Sequence, residues 1–217
     1  MRPADILFPP RCAFCDSLLP PDRDGVCGRC ERELPFVEPE RRLRPVGKHP
    51  CAVTVYYEKA VPSGVYGFKF SARAGRARVF ARYMAETVSE LFAGEFDAVT
   101  YVPVSPQRRL VRGFDQSYLL AKHCCRLWNT KPVRTLVKIR NNPPQSTVKT
   151  ERARRKNVQN VFRVFSHAAV VGRRFLLIDD ITTSGSTMER CADLLLEAGA
   201  ASVVCAAFAG ARRDTFL

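Results

Sequence analysis

Apolar and polar residues change rhythm several times along this chain of 217 residues, and each change marks an element. Phe175-Leu176-Leu177-Ile178 is an unbroken apolar run, as expected of a strand buried on both faces of a parallel sheet. Two acids follow, Asp179 and Asp180, and after Ile181 comes a turn made only of Thr, Ser and Gly, residues 182–187. Met188, Cys191, Ala192 and Leu195 then recur at helical spacing, and Gly199 stands where such a helix would be capped. The same spacing predicts a helix from about Ala74 to Phe92, with Phe80, Met84, Val88 and Leu91 on one face. Another is predicted from about Asp115 to Leu127. Strand character recurs at 53–57, 96–104, 133–139, 161–165 and 201–207. Strands interleaved with helices predict an α/β fold around a parallel sheet.

Residues 36–50 are rich in Pro and Arg and read as a linker between an amino-terminal unit, 1–35, and a main domain, 51–217. The polar stretch from Arg140 to Asn160 is longer than an ordinary connection and reads as a mobile basic lid, helical around 150–157, that would exclude water and clamp a pyrophosphate. The chain carries no internal repeat and no Walker A, G-x-G-x-x-G or H-E-x-x-H pattern, which argues against P-loop NTPases, dinucleotide enzymes and zincin proteases.

Charge narrows the range of partners. Lys and Arg number 35 against 21 Asp and Glu, a net charge of +14 that favours phosphorylated or polyanionic ligands without specifying nucleic acid. With 46% hydrophobic residues the chain can bury a substantial core. Its longest weakly apolar run, Ala198 to Ala211, is too short for a membrane span, and Ile6-Leu7-Phe8 before Pro9-Pro10 makes no signal peptide, so a cytoplasmic location is expected.

Nine cysteines in such a chain point to metal or buried thiols. Four form two C-x-x-C pairs, Cys12 with Cys15 and Cys27 with Cys30, separated by eleven residues. Two such turns complete a tetrahedral Cys₄ zinc site, structural because four thiolates leave no open position. In so short a ribbon the metal would supply the folding energy. Cys191 and Cys205 lie in apolar patterns and read as packing residues.

The turn after the acidic pair has the chemistry of an anion cradle. Unpaired N–H groups at a helix N-terminus carry the positive end of the dipole. Gly185 would let the backbone approach a ligand, with the hydroxyls of Thr182, Thr183, Ser184, Ser186 and Thr187 as further donors. A phosphate fits there, and Asp179 and Asp180, which would repel it, suit sugar hydroxyls or a hydrated Mg²⁺. Neighbours in a strand face opposite ways, so both acids reach one ligand if the strand ends with them. Capping a helix takes one such residue, which leaves two acids and a six-residue loop unexplained. The segment resembles the phosphoribosyl diphosphate (PRPP) motif of type I phosphoribosyltransferases. A second ligand loop is read at the carboxyl end of the strand finishing in Val102-Pro103-Val104, where Arg108, Arg109, Arg112 and Gly113 follow. Lys69, in Gly67-Phe68-Lys69-Phe70, could reach a phosphate but reads as a solvated lysine before the long helix.

Together these pieces resemble the ComF family of bacterial competence-associated proteins over nearly the whole chain. The four ribbon cysteines match its amino-terminal zinc finger, and Val102-Pro103-Val104 with Arg112-Gly113-Phe114-Asp115-Gln116 matches its V-P-V and R-G-F-N-Q signature. Gln145, Arg152, Asn157 and Phe162 fall in a further family stretch, and 179–187 is its PRPP loop. Asp115 stands where the family usually has Asn, and a negative charge there is unhelpful to a pyrophosphate site. The resemblance implies a type I phosphoribosyltransferase fold, a Rossmann-like parallel sheet flanked by helices, with a small zinc-ribbon unit, and a link to DNA uptake in natural transformation.

On that basis Asp179 and Asp180 would hold the ribose of PRPP or ribose 5-phosphate, with Mg²⁺ bridging diol and pyrophosphate. Residues Thr182 to Thr187 would hold the 5′-phosphate, and Arg108, Arg109, Arg112 and Arg155 would neutralise a departing pyrophosphate. No protein nucleophile is required, so His49, His123 and His167 are read as surface or packed residues. Two rival readings stand beside this one. In the first, the site only senses PRPP and the basic surface engages single-stranded DNA or a DNA-uptake helicase. The second is nucleobase salvage, for which no base pocket is legible.

Overall fold

The computed structural model describes residues 9–70, 73–140 and 160–212. The expected lid, its 150–157 helix and Arg155 lie outside the described residues.

The backbone of the fold is a five-stranded sheet in the order β1-β2-β7-β6-β3. Its strands are β1 (Leu43–Val46), β2 (His49–Tyr56), β3 (Ala98–Tyr101), β6 (Arg174–Thr182) and β7 (Ser202–Gly210). The pairs β2–β7, β7–β6 and β6–β3 are parallel, and β1 adds an antiparallel edge. Two short strands, β4 (Leu136–Lys138) and β5 (Phe162–Val164), pair antiparallel apart from it. The described helices are α1 (Gly28–Glu33), α2 (Val61–Phe70), α3 (Arg76–Phe92), α4 (Pro106–Arg112), α5 (Gln116–Leu127) and α6 (Ser186–Glu197).

Strand β6 explains why both faces of the sheet must be covered. Leu176 and Ile178 enter one apolar cluster with Phe80 and Met84 of α3 and Leu120 of α5. Phe175 and Leu177 enter another with Met188, Cys191 and Leu195 of α6 and with Leu136 and Phe162 of the β4–β5 pair. The period-two alternation of a strand thus feeds two cores, and the four-residue apolar run needs both.

The first core extends into the cysteine ribbon. Phe14, fully buried within the first cysteine pair, lies 5.4 Å from Phe80 and 6.4 Å from Phe208, and those two rings stack at 4.3 Å. Cys12, Val26 and Leu34 bury into the same cluster.

Three elements depart from the sequence reading. Residues 36–50, expected as a linker, hold a 3-10 turn at Pro39–Arg41, strand β1 and the start of β2. A Pro- and Arg-rich composition hid an edge strand, the one place in a sheet where a proline such as Pro45 is tolerated. Lys69 precedes the long helix as expected but itself lies within α2, whose Pro62, Gly64 and Gly67 look like breakers in sequence. The glycines serve close approach: a Cβ on Gly64 would lie 3.1 Å from the Ala13 carbonyl, and one on Gly67 2.2 Å from Arg76 Nη1. The arginines after Val104 sit on helix α4, not in a loop. Ser105 accepts from Arg108 N as its N-cap and Pro106 opens the first turn.

Candidate functional site

The site opens where β3 ends. Strand β3 accompanies β6 only as far as Tyr101 opposite Ile178, while β7 stays paired with β6 through Thr182 and Gly210. Beyond Ile178 the chain after β3 turns away into α4, so residues 179–182 present a free strand edge. The strand therefore does not end at the acidic pair, as expected, but continues two residues past it. Both acids still line one cleft, because side chains on either face of a free edge are reachable from that edge. The cleft holds ≈ 630 Å³.

The two acids have different surroundings. Asp179, half-buried, accepts a hydrogen bond of 2.7 Å from the Ser117 hydroxyl in the first turn of α5, and one of 2.9 Å from the Asp180 N–H. Burial, then the charge of Asp180, pushes its pKa up to about 7, against the Ser117 bond and Lys69. Asp180 is 7% exposed, and Lys69 Nζ lies 2.8 Å from its Oδ2, an ion pair outside good hydrogen-bond angles. Lys69 is thus not the solvated lysine of the sequence reading.

The hydroxyl-rich turn runs from the end of β6 into α6, and residues 182–187 all line the cleft. Gly185 holds φ 82°, in the left-handed region, at the N-cap. Ser184 and Ser186 hydroxyls lie 2.9 Å apart. The first residues of α6 and this collar of hydroxyls line the same space, as an anion site requires.

Helix α4 supplies the opposite charge wall. Gln107, Arg108, Val111 and Arg112 line the cleft, an arc of about 140° at 100° per residue. Arg109 falls outside that arc; it is exposed and does not line the cleft, contrary to the expected pyrophosphate set. Arg112 donates to Gln116 Oε1 at 2.8 Å and sits 5.0 Å from the centroid of the Phe70 ring. Burial draws its pKa down and Asp180 opposes this, so the two share one electrostatic neighbourhood.

Among the lining residues missed in sequence are Lys138, Ser117, Gln107 and Tyr57. Lys138, on β4, interrupts the apolar run Leu136-Val137-Lys138-Ile139, a signal that could have flagged it. Burial lowers its pKa to about 8, helped by the charge of Arg108. Asp115 takes no part in the cleft. Its carboxylate caps α5 by accepting from Tyr118 N and ties down the strand exit by accepting from Val104 N, each at 3.0 Å. His49 is buried against α6 with Nε2 3.0 Å from Asp193 Oδ1.

In the amino-terminal unit, the four Sγ atoms of Cys12, Cys15, Cys27 and Cys30 lie within 4.8 Å of one another. Zinc bonded at about 2.3 Å separates tetrahedral sulfurs by about 3.8 Å, and the Cys15–Cys27 pair stands at 3.6 Å. The Cys27 and Cys30 N–H groups donate to the sulfurs of Cys12 and Cys27, each at 3.4 Å, as thiolates in a metal turn require. The cluster fits a structural zinc ion. The remaining cysteines are buried, Cys191 and Cys205 among them. Among the described residues no helix is long and apolar enough to cross a membrane.

Known proteins give this geometry a context. A phosphoribosyl transferase domain matches residues 112–216, and a double zinc ribbon domain matches residues 4–52. The DNA utilization protein YhgH of Escherichia coli K12 is 31% identical over 189 residues, covering 82% of this chain and 74% of that protein. The competence protein ComFC of Bacillus subtilis is 31% identical over 137 residues, covering 63% of this chain and 54% of that protein. Among solved structures, the glutamine PRPP amidotransferase of B. subtilis aligns at 21% identity over 70% of this chain and 29% of that one, with a TM-score of 0.39. The sheet, the four-cysteine ribbon and the similarity to YhgH and ComFC agree: the chain belongs to the ComF family and has a type I phosphoribosyltransferase fold with an amino-terminal zinc ribbon.

Proposed function

We propose that the cleft binds PRPP with Mg²⁺ and transfers its phosphoribosyl group to an acceptor. One observation carries this reading: an acidic pair, a hydroxyl collar at a helix N-terminus, and two arginines line a single cleft. Residues Thr182 to Thr187 hold the 5′-phosphate, Asp179 and Asp180 hold the ribose hydroxyls, and Arg108 and Arg112 face the pyrophosphate. Asp179 and Asp180 are the residues of this chain that would hold a hydrated Mg²⁺, which would supply positive charge to neutralise the departing pyrophosphate. As the bond from the anomeric carbon to pyrophosphate breaks, positive charge develops on the sugar and negative charge on the leaving group. Fixed carboxylates and guanidinium groups stabilise both, without a protein nucleophile.

Calorimetric titration of PRPP with Mg²⁺ tests the reading. Saturable binding to the wild type and little to the Asp179→Asn, Asp180→Asn double variant support it, and no binding to the wild type overturns it. Pyrophosphate release with an acceptor marks a transferase; binding without turnover marks a PRPP-responsive module. The relatives named for DNA utilization and competence suggest that either activity serves DNA uptake. Binding to single-stranded DNA that weakens steeply with salt would place the basic surface on phosphates.

A further inference from the structure

We propose that Arg76 is a positioning residue that ties the cysteine ribbon to the cleft through helix α2, so that the state of the ribbon sets the Lys69–Asp180 pair. Arg76 is 7% exposed, and its guanidinium reaches both sides. Nη1 donates to the Ser63 and Gly64 carbonyls at 3.1 and 2.8 Å, and Nη2 donates to Asp16 Oδ1 at 3.1 Å. Asp16 directly follows Cys15, stands at φ 66°, and also pairs with Arg73. The two carbonyls belong to α2, which presents Lys69 to Asp180 at 2.8 Å.

The contacts along this path leave little slack. Gly64 lies against the backbone of Ala13 and the ring of Phe14, where a Cβ would be tight, and a Cβ on Gly67 would displace the Arg76 guanidinium. A shift of the Cys15–Asp16 turn therefore moves Arg76 or leaves a buried guanidinium without its anionic partner, an arrangement costly enough to be avoided by moving α2. A rigid ten-residue helix passes such a shift to its last turn, where Lys69 sits. Arginine suits this role because its planar fork serves two carbonyls and a carboxylate at once; lysine would not span them in the same geometry.

The pair can be read directly by the acetylation rate of Lys69, followed by mass spectrometry with exposed Lys131 as internal reference. Asp16→Asn and Arg76→Met, each checked to retain one zinc per chain and the wild-type circular dichroism, are expected to raise the Lys69 rate about threefold or more. Chelating zinc from the wild type is expected to raise it at least as much, because Ala13 and Phe14 of the ribbon also pack on Gly64 of α2. A second readout rests on the functional reading above: PRPP affinity should fall about tenfold in Asp16→Asn, with the zinc retained. A Lys69 rate unchanged in both variants overturns the inference. If the wild type binds no PRPP while the Lys69 rate responds as expected, the functional reading falls and the positioning role of Arg76 stands.

Discussion

Val46 packs directly on the backbone of Gly185: a Cβ at Gly185 would lie 2.9 Å from Val46 Cγ1. An edge strand thus braces the turn proposed to hold a phosphate, and the glycine is required twice over, by its left-handed φ and by its neighbour. Gly185→Ala is expected to lower stability by about 1–2 kcal/mol from the backbone alone, with a further loss from the contact. Adding Val46→Ala should return the contact share and leave the backbone share. Urea denaturation of the two variants and of Val46→Ala measures both, and strictly additive losses would refute the contact.

Asp115 occupies the helix cap rather than the ligand site. Replacement by Ala removes the N-cap of α5 and its bond to Val104 together and should cost about 1–2 kcal/mol in chemical denaturation. Asp115→Asn, with one acceptor oxygen, should cost less. PRPP affinity per folded molecule should change little in the Asn variant, and a tenfold loss there would move this residue into the cleft.

Asp179 gives the unliganded fold a definite pH response. Its pKa is raised from the ordinary 3.8 to about 7, so the protonated form is the one folding favours. The stabilising contribution is complete below pH 3.8 and is lost as pH rises through about 7. Asp179→Asn cannot titrate, so its stability relative to wild type should improve between pH of about 4 and about 7 and level off above that. Parallel pH profiles would contradict the raised pKa. If the ionised carboxylate holds the ribose, PRPP affinity in the wild type should rise over the same interval, with proton release that depends on buffer.

The sheet and its long helices were legible because they rest on periodicity. Phe175 to Ile178 and the face Phe80, Met84 and Val88 show it plainly, and the cysteine spacing announced a metal turn. Short elements were hidden where composition pointed the other way. Helix α2 carries two glycines whose reason is close packing against Ala13 and Arg76, a tertiary fact. Strand β1 carries a proline acceptable only at an edge. The Ser105-Pro106 start of α4 was visible as a cap signal, but its arginines drew attention to charge instead. Asp179 and Asp180 were legible as a pair, yet their reach into one cleft depends on where a different strand, β3, stops. Lys69 could not be placed, since its partner is 111 positions away in the chain.

The ribbon is expected to hold zinc in the purified protein. Metal analysis should find one zinc per chain, and Cys12→Ser should lose it, with a stability loss on the order of several kcal/mol. Retention of zinc with unchanged stability in that variant would dismiss the assignment.

Phe14 also bears on heredity. Its ring lies against both Phe80 and Phe208, which stack on each other, so the ribbon and the main domain share one aromatic cluster. A lineage that shed its first 35 residues would expose a greasy hollow and would have to refill it before the remainder could persist. Swapping in a foreign ribbon would meet the same obstacle, and the two segments should descend as one unit, changing at Phe14, Phe80 and Phe208 together.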